Sequence, residues 1–415
     1  MLSHDYDPTG IARNDAALSH DVEPAIDREF VALLVPRVNA SPSKCTNTKP
    51  PPWANIVAKY CFEKATSISL VPLTSTTTAS TDNARMTNYD NWFVRFWRKV
   101  YNPLGFKKGY NFPLFFIFGG AMLGFSLARI SYLNISGDAP SSFKSGAVPG
   151  EWYWYQHGIH RIGITLHLAA IIPAGLLMVF QFLPIIRYKA ILFHRINGYV
   201  ILILVTIGNI GAVMIARRAF GGTLATQCAV GYLFIATTVS MALAYYNIKR
   251  LQIDQHRAWM LRAMFALGTI ITLRIIMAIA SGIISTIGSY SAAMNCGELA
   301  FLYAAFPAAL ASRYPTCVGG NNTDVAVKAD INSLFGEEGK ASMVLTFGMS
   351  WWMAIVMHSV GVEIYLRLTA AEAERLRAVS YEMQRKAGMK NPGSAGLTAD
   401  RLGDVGKWEA PEEMA

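Results

Sequence analysis

The clustering of apolar residues limits this chain more than any other feature of its sequence. A bilayer core is crossed by about 20 apolar residues of helix. Blocks that reach about this length occur near 112–133, 163–185, 195–216, 224–246, 261–286 and 341–366. The charged fraction is 15% over 415 residues, where a soluble domain carries about 25%. The expected fold is therefore all-α: a polytopic transmembrane helix bundle of about six spans. A further patch, ELAFLYAAFPAALA at 298–311, is too short and too broken by proline for a span, and reads as a re-entrant or surface helix. Counting it as a seventh span would move His358 to the other end of the bundle.

The blocks divide the chain. Residues 1–110 carry polar runs such as NASPSKCTNTKPPP and LTSTTTASTDN, and are expected to form a largely disordered cytosolic leader. The leader closes on NYDNWFVRFWRKVYNPLGFKKGY, whose aromatic and basic residues suit a membrane interface. Its opening, MLSHDYDPTG, is polar and has no apolar signal-peptide region. The bundle covers 111–367, with a long loop at 287–340, and 368–415 read as an amphipathic helix followed by a disordered tail. No internal repeat is visible, which weighs against an inverted-repeat transporter. The net charge of +10 follows from basic inter-span loops, and no nucleic-acid-binding signature accompanies it, so nucleic acid is not an expected partner. The five cysteines form no CxxC pair, so neither a thioredoxin-like motif nor a zinc site is expected.

Six spans put both termini on one side. Arg187, Lys189, Lys249, Arg250 and Arg257 fall in short loops on that side, with Arg98, Lys99, Lys107 and Lys108 before the first span. This basic end is expected to face the cytosol. The opposite end carries two sequons, at Asn134 and Asn321, and the loop cysteines Cys296 and Cys317. Glycosylation and a disulfide there would mark a glycoprotein of the endoplasmic reticulum or another secretory-pathway membrane.

Six of the eight histidines lie at span edges or inside spans. His157, His160 and His167 share one helical face by their spacing, and interfacial histidines bonded to water and headgroups are the alternative to a functional role. His194, His256 and His358 come from three helices and converge on the basic end. Arg195, Tyr199, Trp259, Arg262, Glu363 and Gln181 accompany them. Anchoring of helix ends is the alternative for this group. Arg274 stands near the middle of the fifth span, where a permanent charge is costly unless it faces a polar interior, and no Asp or Glu is expected at its depth.

These motifs resemble a known family. His167 to Phe182 reads HxxxxxxxGxxxxxQF, His194 to Tyr199 reads HRxxGY, and His256 to Ala266 reads HRxWMxRxxxA, followed by Leu273-Arg274. Over about 155–280 the chain is similar to the predicted polytopic membrane proteins grouped only as domain of unknown function 2306. The resemblance implies that these positions belong together and carries no activity.

The function expected from these residues is a membrane-embedded enzyme acting on a lipophilic substrate, isoprenoid or polyketide-derived, in secondary metabolism. A terpene-cyclase-like acid–base reaction is one example. His194, His256, Arg274 and Glu363 are the candidate catalytic residues. His167, Gln181, Arg195, Tyr199, Trp259, Arg262 and His358 are the candidate binding residues. The alternatives are a haem b electron carrier ligated by two of His194, His256 and His358, and a transporter. No metal site is assigned.

Overall fold

The structure, a computed structural model, describes residues 92–319 and 322–410. The leader up to residue 91 and the sequon residue Asn321 lie outside it. Lipid offers no hydrogen-bond partner to the backbone, so an apolar block that enters it must close its N–H and C=O groups within itself, as a helix does. Among the described residues, six helices are long and apolar enough to cross a membrane. In chain order the helices of seven residues or more are α1 (Trp92–Tyr101), α2 (Asn111–Ala128), α3 (Gly158–Gln181), α4 (Ile191–Ile215), α5 (Leu224–Lys249), α6 (Ile253–Ile287), α7 (Cys296–Leu302), α8 (Pro307–Arg313), α9 (Gly336–Leu368) and α10 (Ala370–Lys386). The spans are α2 to α6 and α9.

Helices α3 and α4 pack as one hairpin and α5 and α6 as another. Helix α9 lies against both α5 and α6, and α2 lies against α3 and α6. Without a hydrophobic force between helices in lipid, close backbone approach holds such pairs together. Gly163 of α3 and Gly211 of α4 provide it. A Cβ on Gly211 would stand 2.6 Å from both the Gly163 carbonyl oxygen and the His167 amide nitrogen. On the outer surface Ile275, Ile279 and Ile283 of α6 remain exposed at helical spacing, as do Val356, Val360 and Ile364 of α9. These stripes suit hydrocarbon.

Several helices begin earlier than the hydropathy blocks. Helix α6 starts at Ile253 rather than near 261, and α3 at Gly158 rather than near 163. Hydropathy marks where side chains leave lipid, whereas the backbone ladder runs on through polar residues such as His256 and Arg257. Helix α2 is shorter than its block, ending at Ala128 before a 3-10 turn at Ile130–Leu133.

The apolar patch after α6 does not cross. It forms α7 and α8, beside a hairpin of β1 (Ser291–Asn295) and β2 (Asp324–Lys328). A disulfide joins Cys296 to Cys317, with Cα atoms 4.9 Å apart, and Leu299, Tyr303, Leu310 and Val327 bury around it. Buried polar contacts tie this cap to the start of α9. Lys340 pairs with Glu298, Arg313 with Glu338, and the Tyr303 hydroxyl donates to Glu337 at 2.6 Å.

The tail expected to be disordered packs against the helices over residues 393–400 and again at Trp408, whose indole donates to Glu374 at 2.6 Å, while 401–407 are exposed. Gly393 N–H donates to Gln384 Oε1 at 2.7 Å, Gly396 N–H to Gln252 Oε1 at 3.1 Å, and Leu397 N–H to Asn247 Oδ1 at 2.9 Å. Gly- and Pro-containing composition suggested disorder. The buried amides of Asn247, Gln252 and Gln384 overrule it by satisfying the tail's backbone.

Candidate functional site

A cavity of about 260 Å³ lies among the six spans, toward the end that carries the disulfide cap. Its walls are mostly apolar and aromatic, including Phe125, Phe143, Phe234 and Trp351, and its charged lining residues are Arg129, Glu151 and Arg274.

Glu151 enters the cavity from the loop before α3, at the start of a one-turn helix, Trp152–Tyr155. It is buried, at 4% exposure. Phe220 N–H donates to its Oε1 at 2.8 Å, and the Tyr155 hydroxyl reaches the same oxygen at 3.5 Å. Burial pushes the Glu151 carboxyl above the ordinary carboxylate range. The charge of Lys340, the Phe220 N–H and the charge of Arg274 oppose this, yet desolvation of the ionised form dominates. Tyr155 is likewise held protonated, by burial first and then by Glu151.

Phe220 has φ 48°, in the left-handed region that bulky residues avoid. Such strain costs on the order of 1–3 kcal/mol and persists only where surrounding contacts enforce it. Those contacts are visible: its N–H on Glu151, and its ring stacked on Phe347 with centroids 4.0 Å apart and planes 3° apart. Gly222 allows the turn, because a Cβ there would stand 1.9 Å from the Arg217 carbonyl oxygen.

The Arg274 guanidinium lies over the rings of Phe220 and Phe347, at 4.6 and 5.5 Å from their centroids. Its buried Nε has no hydrogen-bond partner. Arg129 caps α2 and donates from Nη1 to the Tyr132 hydroxyl at 3.1 Å, which donates in turn to the Gly146 carbonyl at 2.5 Å. His167 also lines the cavity, with Nδ1 2.9 Å from the Gly208 carbonyl oxygen. A carbonyl only accepts, so this contact assigns the proton to Nδ1 and leaves Nε2 as a base. The glycine crossing of α3 and α4 brings His167 within reach of that carbonyl.

The sequence-based grouping of Arg274 with His194, His256 and Glu363 is corrected here. Arg274 and His256 are 18 residues apart on α6, which is about 27 Å at 1.5 Å per residue. They serve opposite ends. Several of the histidines act as ties between helices. His256 Nδ1 contacts the Ala244 carbonyl at 2.9 Å. His358 does not join His194 and His256 at the basic end as expected: it stands at mid-span against Gly268 of α6 and uses both nitrogens, Nδ1 with the Phe265 carbonyl and Nε2 with the Thr272 hydroxyl, each at 2.7 Å. His160 makes the same kind of tie at the other end, to the Met214 carbonyl at 3.1 Å. Glu363 receives two hydrogen bonds from Arg262, at 2.6 and 3.1 Å, and Arg262 stacks over Trp259 at 4.6 Å.

Gln181 donates to the His194 carbonyl at 3.1 Å and accepts from Asn197 at 2.9 Å. His194 keeps a buried Nδ1 without a partner, within the field of His256. Arg195 and Tyr199 are exposed, and Lys249 lies 5.7 Å over the Tyr199 ring. A second pocket, of about 190 Å³, is lined by Arg262, Glu363 and His358. Among the described residues, no three His, Cys, Asp or Glu side chains are grouped to hold a metal ion.

Of the cavity's polar residues, sequence reasoning found Arg274 and His167 and missed Glu151, Arg129 and Tyr155. One signal for Glu151 was available. It is the only acidic residue between Asp138 and Asp254, directly before an aromatic run at a span entrance.

Residues 164–306 match the family model described as "Predicted membrane protein (DUF2306)", which bears out the resemblance carried by the histidine and arginine motifs. The chain is also similar to "Ava biosynthesis cluster protein G" of Aspergillus versicolor, at 27% identity over 329 residues, covering 67% of this chain and 95% of that protein. No solved structure matches.

Proposed function

We propose that this multi-pass membrane protein is an enzyme of secondary metabolism that catalyses proton transfer on a lipophilic, carbonyl-bearing substrate, with Glu151 as the acid. The observation that carries this reading is a buried carboxyl, biased toward its protonated form, in the wall of an apolar, aromatic cavity. Such a group has the character of a general acid. The similarity to a protein named for a biosynthesis cluster agrees with it.

In this mechanism Glu151 donates its proton to the substrate. The conjugate base is stabilised by the Phe220 N–H, the Tyr155 hydroxyl and the fields of Lys340 and Arg274. His167 Nε2, across the cavity wall, accepts a proton from carbon, so the net change is an isomerisation or ring closure with no redox partner. Two guanidiniums in the lining oppose a carbocation and favour negative charge on a substrate oxygen. Within the expected substrate range, this selects polyketide-type carbonyl chemistry over a cation-driven isoprenoid cyclisation.

The same reading places the protein in the endoplasmic reticulum or another secretory-pathway membrane, with both termini cytosolic. The exposed sequon residue Asn134 and the disulfide, both at the end away from the basic loops, support this.

The test is deletion of the gene with metabolite profiling, followed by conversion of the accumulating precursor by membranes carrying the protein. Wild-type membranes are expected to convert it and Glu151→Gln membranes not. An unchanged metabolite profile after deletion would overturn the reading.

A haem b carrier is the second reading. Its support is the unpartnered Nδ1 of His194 beside His256, since His358 already spends both nitrogens. A reduced-minus-oxidised spectrum with a Soret shift, lost in His194→Ala, would favour it.

A further inference from the structure

We propose that the molecule this cavity takes is a compact lipophilic anion, with its charge held by Arg274 and Arg129. The inference rests on the reading of the cavity as the substrate site and names the class of substrate.

The charges of the lining are unbalanced. Arg129 and Arg274 lie within each other's field, and neither forms an ion pair among the described residues. Glu151 is the one lining carboxyl against these two guanidiniums, and it is held by the Phe220 N–H rather than by either of them. The aromatic faces of Phe220 and Phe347 attract the Arg274 guanidinium, but they are poor acceptors for its N–H groups, and its buried Nε stays unbonded. A neutral hydrocarbon would leave that N–H unbonded in a largely apolar chamber. A carboxylate or an enolate would accept charge-assisted hydrogen bonds from it.

Arg129 is set for the same task. Tyr132, itself held by the Gly146 carbonyl, takes one Nη of Arg129 and fixes the plane of the guanidinium. Size completes the description. A cavity of 150 Å³ takes a benzene ring, so about 260 Å³ admits about ten non-hydrogen atoms. A small ring system or a short acyl chain with one acidic group fits.

Binding to the full chain in phosphatidylcholine nanodiscs, by equilibrium dialysis against empty discs, tests this. The probes are two acids and their uncharged partners: 4-methylbenzoate with 4-methylbenzyl alcohol, and 2-acetylcyclohexane-1,3-dione with its enol methyl ether. We expect at least one acid to bind about tenfold or more tightly than its partner. Arg274→Met is expected to abolish the preference, Arg274→Lys to keep part of it, and Arg129→Gln to weaken it. Preference for the methylbenzoate indicates a carboxylate substrate, and preference for the dione an enolate. Monodisperse elution and an intact Cys296–Cys317 disulfide report folding. If Arg274→Met does not fold, Arg274→Lys and Arg129→Gln carry the test. Equal binding of acids and neutral partners would overturn the anion while leaving a lipophile cavity in place. An unchanged preference in the folded arginine variants would overturn their role. No binding by any probe would overturn both the inference and the cavity reading.

Discussion

Glu151 and Glu363 show how the same side chain is made into two different things. Glu363 is fully engaged by Arg262, and its charge is satisfied. Glu151 has lost its water and has no cation within ion-pair distance among the described residues. Replacing Glu151 by Gln should lower product formation by about 10²–10⁴-fold, the usual contribution of a general acid. Glu363→Gln should leave turnover within a few fold. The raised Glu151 carboxyl also sets a pH dependence. Folded protein holds this proton more tightly than the unfolded chain, so its contribution to stability is greatest in acid. It declines as pH rises from the ordinary carboxylate range toward the raised value. Lys340, Arg274, Glu298 and Tyr155 share its environment. The thermal midpoint of Glu151→Gln relative to wild type should therefore improve as pH rises from about 4 through the ordinary carboxylate range, and a difference flat from there to neutral pH would refute the shift. The sequence made Arg274 conspicuous, because a charge in a span has no ordinary explanation. Glu151 was inconspicuous because it sits in a loop, and its depth is set by how that loop folds inward.

Among the elements, the α3–α4 crossing does most to shape the site, since it sets where His167 stands. Gly211→Ala would place a methyl 2.6 Å from backbone on the facing helix. Overpacking of this kind costs about 1–3 kcal/mol, and the His167–Gly208 contact should go with it. Gly231, on α5, has nothing within 4 Å of a Cβ, so Gly231→Ala should be neutral or mildly stabilising, because alanine is the better helix former. Fluorescence-detected size-exclusion after a heat ramp compares the two, and equal midpoints would contradict the tight crossing. The sequence shows both glycines in apolar blocks and does not tell them apart. Only the partner helix makes one indispensable.

At the scale of the molecule, the disulfide cap links the loop after α6 to the start of α9 and to the cavity below. Cys296 and Cys317 are 21 residues apart, and closing a loop of that length stabilises by about 3 kcal/mol in the chain-entropy view. Glu298, two residues after Cys296, pairs with Lys340, whose charge also bears on Glu151. A Cys296→Ser, Cys317→Ser double variant should accordingly lose thermal stability and part of its turnover together. Orientation is testable on the same end. Asn134→Gln should reduce an endoglycosidase-sensitive mass shift and Asn134→Gln with Asn321→Gln should remove it, and a wild-type protein without such a shift would count against a lumenal cap.

The sequence by itself determined the membrane and the six crossings, because burying an unpaired backbone in hydrocarbon is so costly that a long apolar run has one outcome. It also marked Arg274, by the same cost applied to a charge. It did not determine which polar groups meet. Two residues of one helix can be separated by nearly the thickness of the bilayer, as Arg274 and His256 are, while a loop glutamate far away in sequence reaches the same cavity as Arg274. That pairing depends on the crossing of α3 with α4, the strained turn at Phe220 and the cap on α9. Each of these is a contact between segments distant in the chain, and local composition does not record it.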